Sequence, residues 1–135
     1  MGDIYATAQG TDIIYKLSAT GKLLLQWQIA GPDPVGLALD KQSNIYVAVF
    51  GGNTIQKYSP SGKLLALWGT PGSGPGQFDH PAGVAVDGQG NIYVTDQGND
   101  RIQKLAPTGK PLVQWGGRGV GPGQFLQPGS IAADR

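Results

Sequence analysis

Short apolar runs of about four to six residues recur along the 135-residue chain, each cut off by Gly, Pro, Asn, Asp or Ser. This pattern predicts strands joined by tight turns. In the middle of the chain Val84-Ala85-Val86 is small and apolar. The turn Asp87-Gly88-Gln89-Gly90 leads to Asn91-Ile92-Tyr93-Val94, and Gly98-Asn99-Asp100 leads to Arg101-Ile102-Gln103-Lys104-Leu105. Pro107-Thr108-Gly109 then leads to Leu112-Val113-Gln114-Trp115. Connections this short join antiparallel neighbours, so the four strands form a meander. No stretch has a helical period long enough to compete.

The meander repeats. Asn44-Ile45-Tyr46-Val47 returns as Asn91-Ile92-Tyr93-Val94, with Asp3-Ile4-Tyr5-Ala6 as a weaker first copy. Ile14-Tyr15-Lys16, Ile55-Gln56-Lys57 and Ile102-Gln103-Lys104 correspond. So do Gly21-Lys22, Gly62-Lys63 and Gly109-Lys110, and then Trp27, Trp68 and Trp115. The last element is Val35-Gly36-Leu37-Ala38-Leu39-Asp40, which recurs at Ala82 to Asp87 and at Gly129 to Asp134. A spacing of about 47 residues between the second and third copies is that of a blade-type repeat. The spacing drops to about 41 between the first and second, because the first lacks the Gly-Pro-Gly-Gln-Phe element found at 74–78 and 121–125. The repeats divide a single domain, residues 1–135, into 3–40, 41–87 and 88–135, offset from the blade boundaries.

These residues resemble the NHL-repeat family of β-propellers. The resemblance is carried by Pro81, Gly83-Val84-Ala85-Val86-Asp87, Gly90-Asn91-Ile92-Tyr93-Val94-Thr95-Asp96, Asn99-Asp100-Arg101-Ile102-Gln103-Lys104, Gly109-Lys110, Trp115-Gly116 and Gly121 to Phe125. It covers essentially all of the chain after Gly2, and the first repeat departs most, with Thr11-Asp12-Ile13 where the third has Asn99-Asp100-Arg101. The resemblance implies an all-β fold of four-stranded antiparallel blades, with the small strand innermost and the tryptophan strand at the rim. Small side chains suit a crowded axis, which agrees.

On this reading the chain opens on a second-strand motif and closes on an orphan innermost strand at 129–134. That makes twelve strands, or three blades with one split between the termini. Propellers have about four to eight blades, and NHL-like ones commonly six. Three blades leave apolar walls and unpaired edges, which drive association. The expectation is a homo-oligomer in which two copies close one six-bladed ring by strand exchange, with larger rings and a non-assembling fragment as the alternatives.

Composition narrows the function. Ten basic and nine acidic residues give a net charge of +1, unlike a strongly basic nucleic-acid binder. No apolar stretch approaches the roughly 20 residues that span a bilayer, so no membrane partner is expected. No signal-peptide pattern is expected, since Met1-Gly2-Asp3 leads straight into a strand-like run. The absence of cysteine excludes thiol catalysis and leaves the compartment open. All nine acids are Asp, which favours turns over helices.

One histidine, His80, stands beside Asp79. The pair can hydrogen-bond a ligand, but zinc usually wants three or four ligands, so an ordinary loop residue is the simpler reading. Some NHL-like propellers are amidating lyases that use metal-bound histidines; this chain lacks that set. The Gly-rich stretches 69–76 and 116–123 lack the Lys-Ser/Thr pair and helix of a phosphate loop. They read as connections between blades, with Phe78 or Phe125 plugging the seam. Trp27, Trp68 and Trp115 can stack on sugars or bases, but their constant place on the outer strand points to packing between blades. The face carrying the second-to-third-strand and inter-blade loops is usually the ligand face of a propeller. It bears Asp12, Asp33, Asp79, Asp96 and Asp100 against Arg101 and Arg118, too acidic for single-stranded RNA. Arg101 is expected to pair with Asp96 or Asp100 and lock a blade corner.

The expected function is a non-enzymatic propeller scaffold or binding module that presents loops to a protein or a small polar ligand. Candidate ligand-face residues are Asp79, His80, Asp100, Arg101 and Arg118, and no cofactor is expected. An RNA-binding propeller and a fragment of a lyase or hydrolase propeller without its catalytic residues are the alternatives.

Overall fold

A computed structural model describes residues 2–8 and 10–134. Three antiparallel sheets follow one another along the chain. The first holds β1 (Ile4–Thr7), β2 (Ile13–Leu17) and β3 (Leu23–Gln28); the second holds β4 (Pro34–Leu39), β5 (Ile45–Val49), β6 (Thr54–Tyr58) and β7 (Leu64–Trp68). The third holds β8 (Pro81–Val86), β9 (Ile92–Asp96), β10 (Arg101–Leu105) and β11 (Pro111–Gly116). Each sheet is a meander in sequence order. The only helical element among the described residues is a single 3₁₀ turn, Gln97–Asn99. No helix of the described residues is long and apolar enough to cross a membrane.

The sheets stack face on face around their small inner strands. β4 packs on β8, and the glycines there are required by close approach. A Cβ on Gly36 would meet Ala82 O and Gly83 Cα at 2.9 Å, and one on Gly83 would meet Gly129 O at 2.7 Å. The tryptophan strands β3, β7 and β11 lie at the opposite, outer edges. The centre-to-rim order is therefore the expected one.

Among the described residues eleven strands form, where twelve were expected. Residues 129–134 do run beside β8, where the Thr95 hydroxyl donates to Gly129 O at 2.5 Å, but they adopt no strand. The reason is physical: a strand needs a neighbour to share a ladder, and among the described residues none pairs with 129–134.

Two apolar seams form the core. Between the first two sheets lie Ile14, Ile29, Ile45, Val47, Val49 and Tyr58; between the second and third lie Tyr46, Ala48, Ile55, Phe78, Val84, Val86, Ile92, Val94 and Leu105. The Gly-Pro-Gly-Gln-Phe element plugs the second seam with Phe78, which is fully buried. The first seam, lacking that element, uses Ile29 and Tyr58. The Tyr58 hydroxyl donates to Gln56 Oε1 at 2.6 Å and accepts from Ala30 N–H at 3.3 Å, while Gln56 Nε2 donates to Ala30 O. Burial pushes the Tyr58 hydroxyl pKa up, keeping it a neutral donor.

A repeated aspartate closes the hairpin between the two inner strands. Asp40 Oδ1 accepts the backbone N–H groups of Gln42 and Asn44, and Oδ2 accepts Asn44 Nδ2 and the Tyr46 hydroxyl, all within 2.9–3.0 Å. Asp87 makes the same four bonds to Gln89, Asn91 and Tyr93. Burial pushes both carboxyl pKa values up, but hydrogen bonds from these Asn, Tyr and backbone donors outweigh it and hold them below the usual range. Burial and then the neighbouring Asp40 raise the Tyr46 hydroxyl. A carboxylate whose folded pKa is depressed stabilises the fold above its unfolded pKa of about 3.9, and loses that contribution as pH falls through the folded value. Thermal melts are therefore expected to weaken below about pH 4. The Asp40→Asn/Asp87→Asn variant is expected to be less stable at pH 7 by about 1 kcal/mol per turn and to lose less on acidification. An acid limb unchanged by the double substitution would show that other carboxyls set it.

Candidate ligand face

The loops between β1 and β2, β5 and β6, and β9 and β10 lie on one face together with the connections that lead into β4, β8 and residue 128. Each such connection ends on a residue of positive φ immediately before a proline: Asp33 (φ 63°), His80 (φ 55°) and Gln127 (φ 49°). The backbone N–H of each donates to a side chain in the preceding sheet's loop. Asp33 N–H reaches Asp12 Oδ1 at 3.2 Å, His80 N–H reaches Asn53 Oδ1 at 2.8 Å, and Gln127 N–H reaches Asp100 Oδ1 at 2.7 Å. One loop side chain per repeat thus fastens the next sheet and holds its strained residue in place.

In the third sheet the corner is built on Asp96 and Arg101, cross-strand partners in the β9–β10 ladder. Arg101 Nε donates to Asp96 Oδ2 at 2.8 Å, and both side chains are buried. The guanidinium also donates to Ser73 O, Gly74 O, Gln77 O and Gln114 Oε1, all within 2.8–2.9 Å. Asp96 in turn accepts Asp79 N–H at 2.7 Å and Asn99 Nδ2 at 3.0 Å. Gln103 Nε2 donates to Gln77 O at 2.7 Å, and its Oε1 accepts Gly76 N–H at 3.0 Å. Inside the Gly-rich loop, Gln77 Oε1 accepts Gly74 N–H at 2.8 Å, and Gln124 repeats this on Gly121 at 3.1 Å. The first glycine-rich stretch is thus a compact connection pinned by the next strand pair, and the second repeats its internal bonds.

Of the expected ligand-face residues, then, Arg101 is turned inward and fully engaged, and it chooses Asp96 rather than Asp100. Asp100 serves the Gln127 clasp. Arg118 is exposed on the 117–128 connection, where its backbone pairs with Phe125. Asp79 and His80 remain on the surface, each about half-exposed, with His80 Nδ1 2.6 Å from Asp79 Oδ1. The Asp79 carboxylate engages Nδ1, which leaves Nε2 as the second ring nitrogen. The His80 ring lies 4.7 Å from Phe50, tilted by 54°.

Phe50 is the residue that sequence reading passed over. It separates His80 from a cleft of about 530 Å³ lined by Thr7, Gly10, Asp33, Pro34, Val35 and itself. A second cleft of about 450 Å³ on the other side of His80 is lined by Asn53, Pro71, Gly72, Ser73, Phe78, Asp79 and Asn99. An aromatic in a loop rich in Gly and Asn was the available signal. Among the described residues no group of three or more His, Cys, Asp or Glu side chains is placed to hold a metal ion. The face presents hydrogen-bond donors and acceptors beside one aromatic floor.

The tryptophans lie between sheets or on an open wall. Trp68 stacks on Tyr46 at 6.4 Å and donates Nε1–H to Thr108 O at 3.1 Å in the next sheet. Trp27 packs on Tyr58 and on the Gly62 turn. Trp115 stacks on Tyr93 at 6.3 Å and is 45% exposed. Phe125 repeats the Phe78 placement against Gly116 but is only half-buried.

Comparison with known proteins agrees with this geometry. No curated protein matches the sequence. A streptogramin B lyase structure is 25% identical, with a TM-score of 0.69 over 84% of this chain and 37% of that one. A catalytically inactive virginiamycin B lyase from Staphylococcus aureus with quinupristin is 17% identical, with a TM-score of 0.68 over the same shares. Hydrazine synthase of Kuenenia stuttgartiensis is 13% identical, with a TM-score of 0.75 over 96% of this chain and 35% of that one. The chain therefore spans little more than a third of the length of these structures. Residues 78–105 match the NHL repeat family, and they run from the plug Phe78 through β8 and β9 to the end of β10. Residues 78–105 are thus similar to an NHL repeat, set within a stack of like sheets that resembles part of these larger structures.

Proposed function

We propose that the chain is a non-enzymatic propeller module whose loop face binds small polar ligands or polar protein loops, and that two copies close one six-bladed ring. The carrying observation is the His80–Asp79 pair on Phe50. It is held by backbone bonds to Asn53 and Asp96, lies between two clefts, and keeps an imidazole nitrogen and Asp33 available on a preorganised surface. Preorganisation favours binding because little ordering remains to be done. The ring reading is supported by residues 129–134, which lie beside β8 in the position of an innermost strand and, among the described residues, have no ladder.

The test is a titration of the protein with small hydroxy acids, amides and monosaccharides, followed by backbone amide shifts. Shifts confined to Asp33, Phe50, Asn53, Asp79 and His80 are expected. His80→Ala is expected to weaken binding by about 10-fold, one hydrogen bond's worth, without lowering the thermal midpoint. Shifts scattered over the surface, or turnover of a bound compound, would count against the proposal. A single-stranded RNA oligonucleotide at low salt is expected to give no saturable binding.

A further inference from the structure

The connection that leads into β8 and the one that follows β11 match at eight of thirteen places over 69–81 and 116–128. The shared residues hold the loop. Gln77 and Gln124 make the same bond to a glycine N–H, and Phe78 and Phe125 make the same backbone pairs. Five places differ. Three of these, Pro71, Ser73 and Asp79 in place of Arg118, Val120 and Leu126, line the cleft of about 450 Å³ between the second and third sheets. A fourth, His80, borders it. The scaffold is repeated and the cleft lining is not. Both flanking sheets are four-stranded, so the cleft lies between complete walls.

Asn53, also in the lining, departs from its repeat in the same way. Each clasp uses one side-chain oxygen. Asp12 and Asp100 supply it from a carboxylate, and Asn53 supplies it from an amide. Asn53 and Asp100 share the backbone conformation as well, with φ 57° and 52°. The His80 N–H takes Oδ1 of Asn53, which fixes the orientation of the amide. Its two Nδ2 hydrogens do nothing for the clasp and have no acceptor among the described residues. Two more groups in the cleft are unused. Asp79 Oδ1 engages His80 Nδ1, and Oδ2 is left over. Ser73 gives its carbonyl to Arg101 and keeps its hydroxyl.

The cleft therefore offers donors on Asn53, an acceptor on Asp79, and on Ser73 a hydroxyl that serves as either. A ligand that meets all three must both give and accept hydrogen bonds. An anion meets the Asp79 charge, which selects against it. An ammonium finds one carboxylate, already beside the His80 ring, and leaves the Asn53 hydrogens without an acceptor. Neutral hydroxyl groups satisfy every partner. We infer that this cleft is a saccharide subsite, taking a neutral sugar whose hydroxyls accept from Asn53 Nδ2 and donate to Asp79 Oδ2. This deepens the loop-face reading, on which it rests, by naming the class of ligand.

The experiment titrates the 135-residue chain with the methyl glycosides of glucose, galactose and mannose, and separately with glycolate, acetamide and methylammonium. Affinity is read from the amide shifts of Asn53 and Asp79. Saturable binding of one or more glycosides is expected. Asn53→Asp and Ser73→Val each copy the residue of the third repeat, so the clasp and the loop are kept. Each is expected to weaken the glycoside by about 10-fold, with an unchanged thermal midpoint. A loss in either variant places the sugar in this cleft. Glycolate, acetamide or methylammonium binding where no glycoside does would leave the loop-face reading standing and overturn the saccharide. A glycoside held as tightly by both variants as by the wild type sits elsewhere, and would overturn the subsite. Binding of none of the six compounds would overturn the loop-face reading and this inference with it.

Discussion

Arg101→Met, which removes the buried charge at the corner of the third sheet, is expected to cost about 3–5 kcal/mol. The side chain keeps its length and loses its charge. Asp96, with no exposed surface, is then a buried carboxylate without its counter-charge. The carbonyls of Ser73 and Gly74 lose their donor as well, and Gln77 O keeps only that of Gln103. The loss should appear as a lower denaturant midpoint with an unchanged slope, since the surface exposed on unfolding is the same. Arg101→Lys should recover little, because one ammonium cannot meet a fork of five acceptors. Pairing Arg101→Met with Asp96→Leu should recover part of the loss by removing the stranded charge. A cost under about 1 kcal/mol for Arg101→Met, the value of an exposed pair, would show that the Asp96–Arg101 pair is not closed to water.

How far this corner could be read from sequence is instructive. Asp96 and Asp100 were both within reach of Arg101 along the chain. The choice falls to Asp96 because the β9–β10 ladder sets the two directly opposite, while Asp100 has positive φ and turns to the next connection. Strands and turns were legible because each is a local pattern of four to six residues, stated three times over. The clasps were not. Asp33, His80 and Gln127 share no side-chain chemistry; what they share is a backbone conformation before proline and a partner 21 to 27 positions earlier. Phe50 was hidden for a similar reason, since its contact with His80 crosses between sheets. Residues 129–134 show the opposite limit. Their sequence is that of an inner strand, but a strand is a relation between two segments, and the second segment is not beside them.

Phe78→Ala should cost about 3–5 kcal/mol, in the range for a fully buried phenylalanine, and Phe125→Ala only about 1 kcal/mol, although the two stand at the same place in identical Gly-Pro-Gly-Gln-Phe elements. The difference lies in what each ring meets. Phe78 has no exposed surface and sits in the second seam with Tyr46, Ala48, Ile55 and Leu105, its ring against Gly69 and its backbone tied to Thr70 and Gly72. Removing it opens a cavity between two rigid sheets that cannot close without breaking the Gln103 and Arg101 bonds to the loop. Phe125 has the same backbone bonds, to Gly117 and Gly119, but only one sheet to lie against. Conservative replacement separates the contributions. Phe78→Ile should recover much of the loss, because Ile29, 5% exposed, does this work at the first seam together with Tyr58. The measurement is denaturant unfolding of the three variants at a concentration where the chain is in one association state. Equal losses for Phe78→Ala and Phe125→Ala there would mean that Phe125 too is covered on both sides. That would place a further sheet against the Trp115 wall in solution.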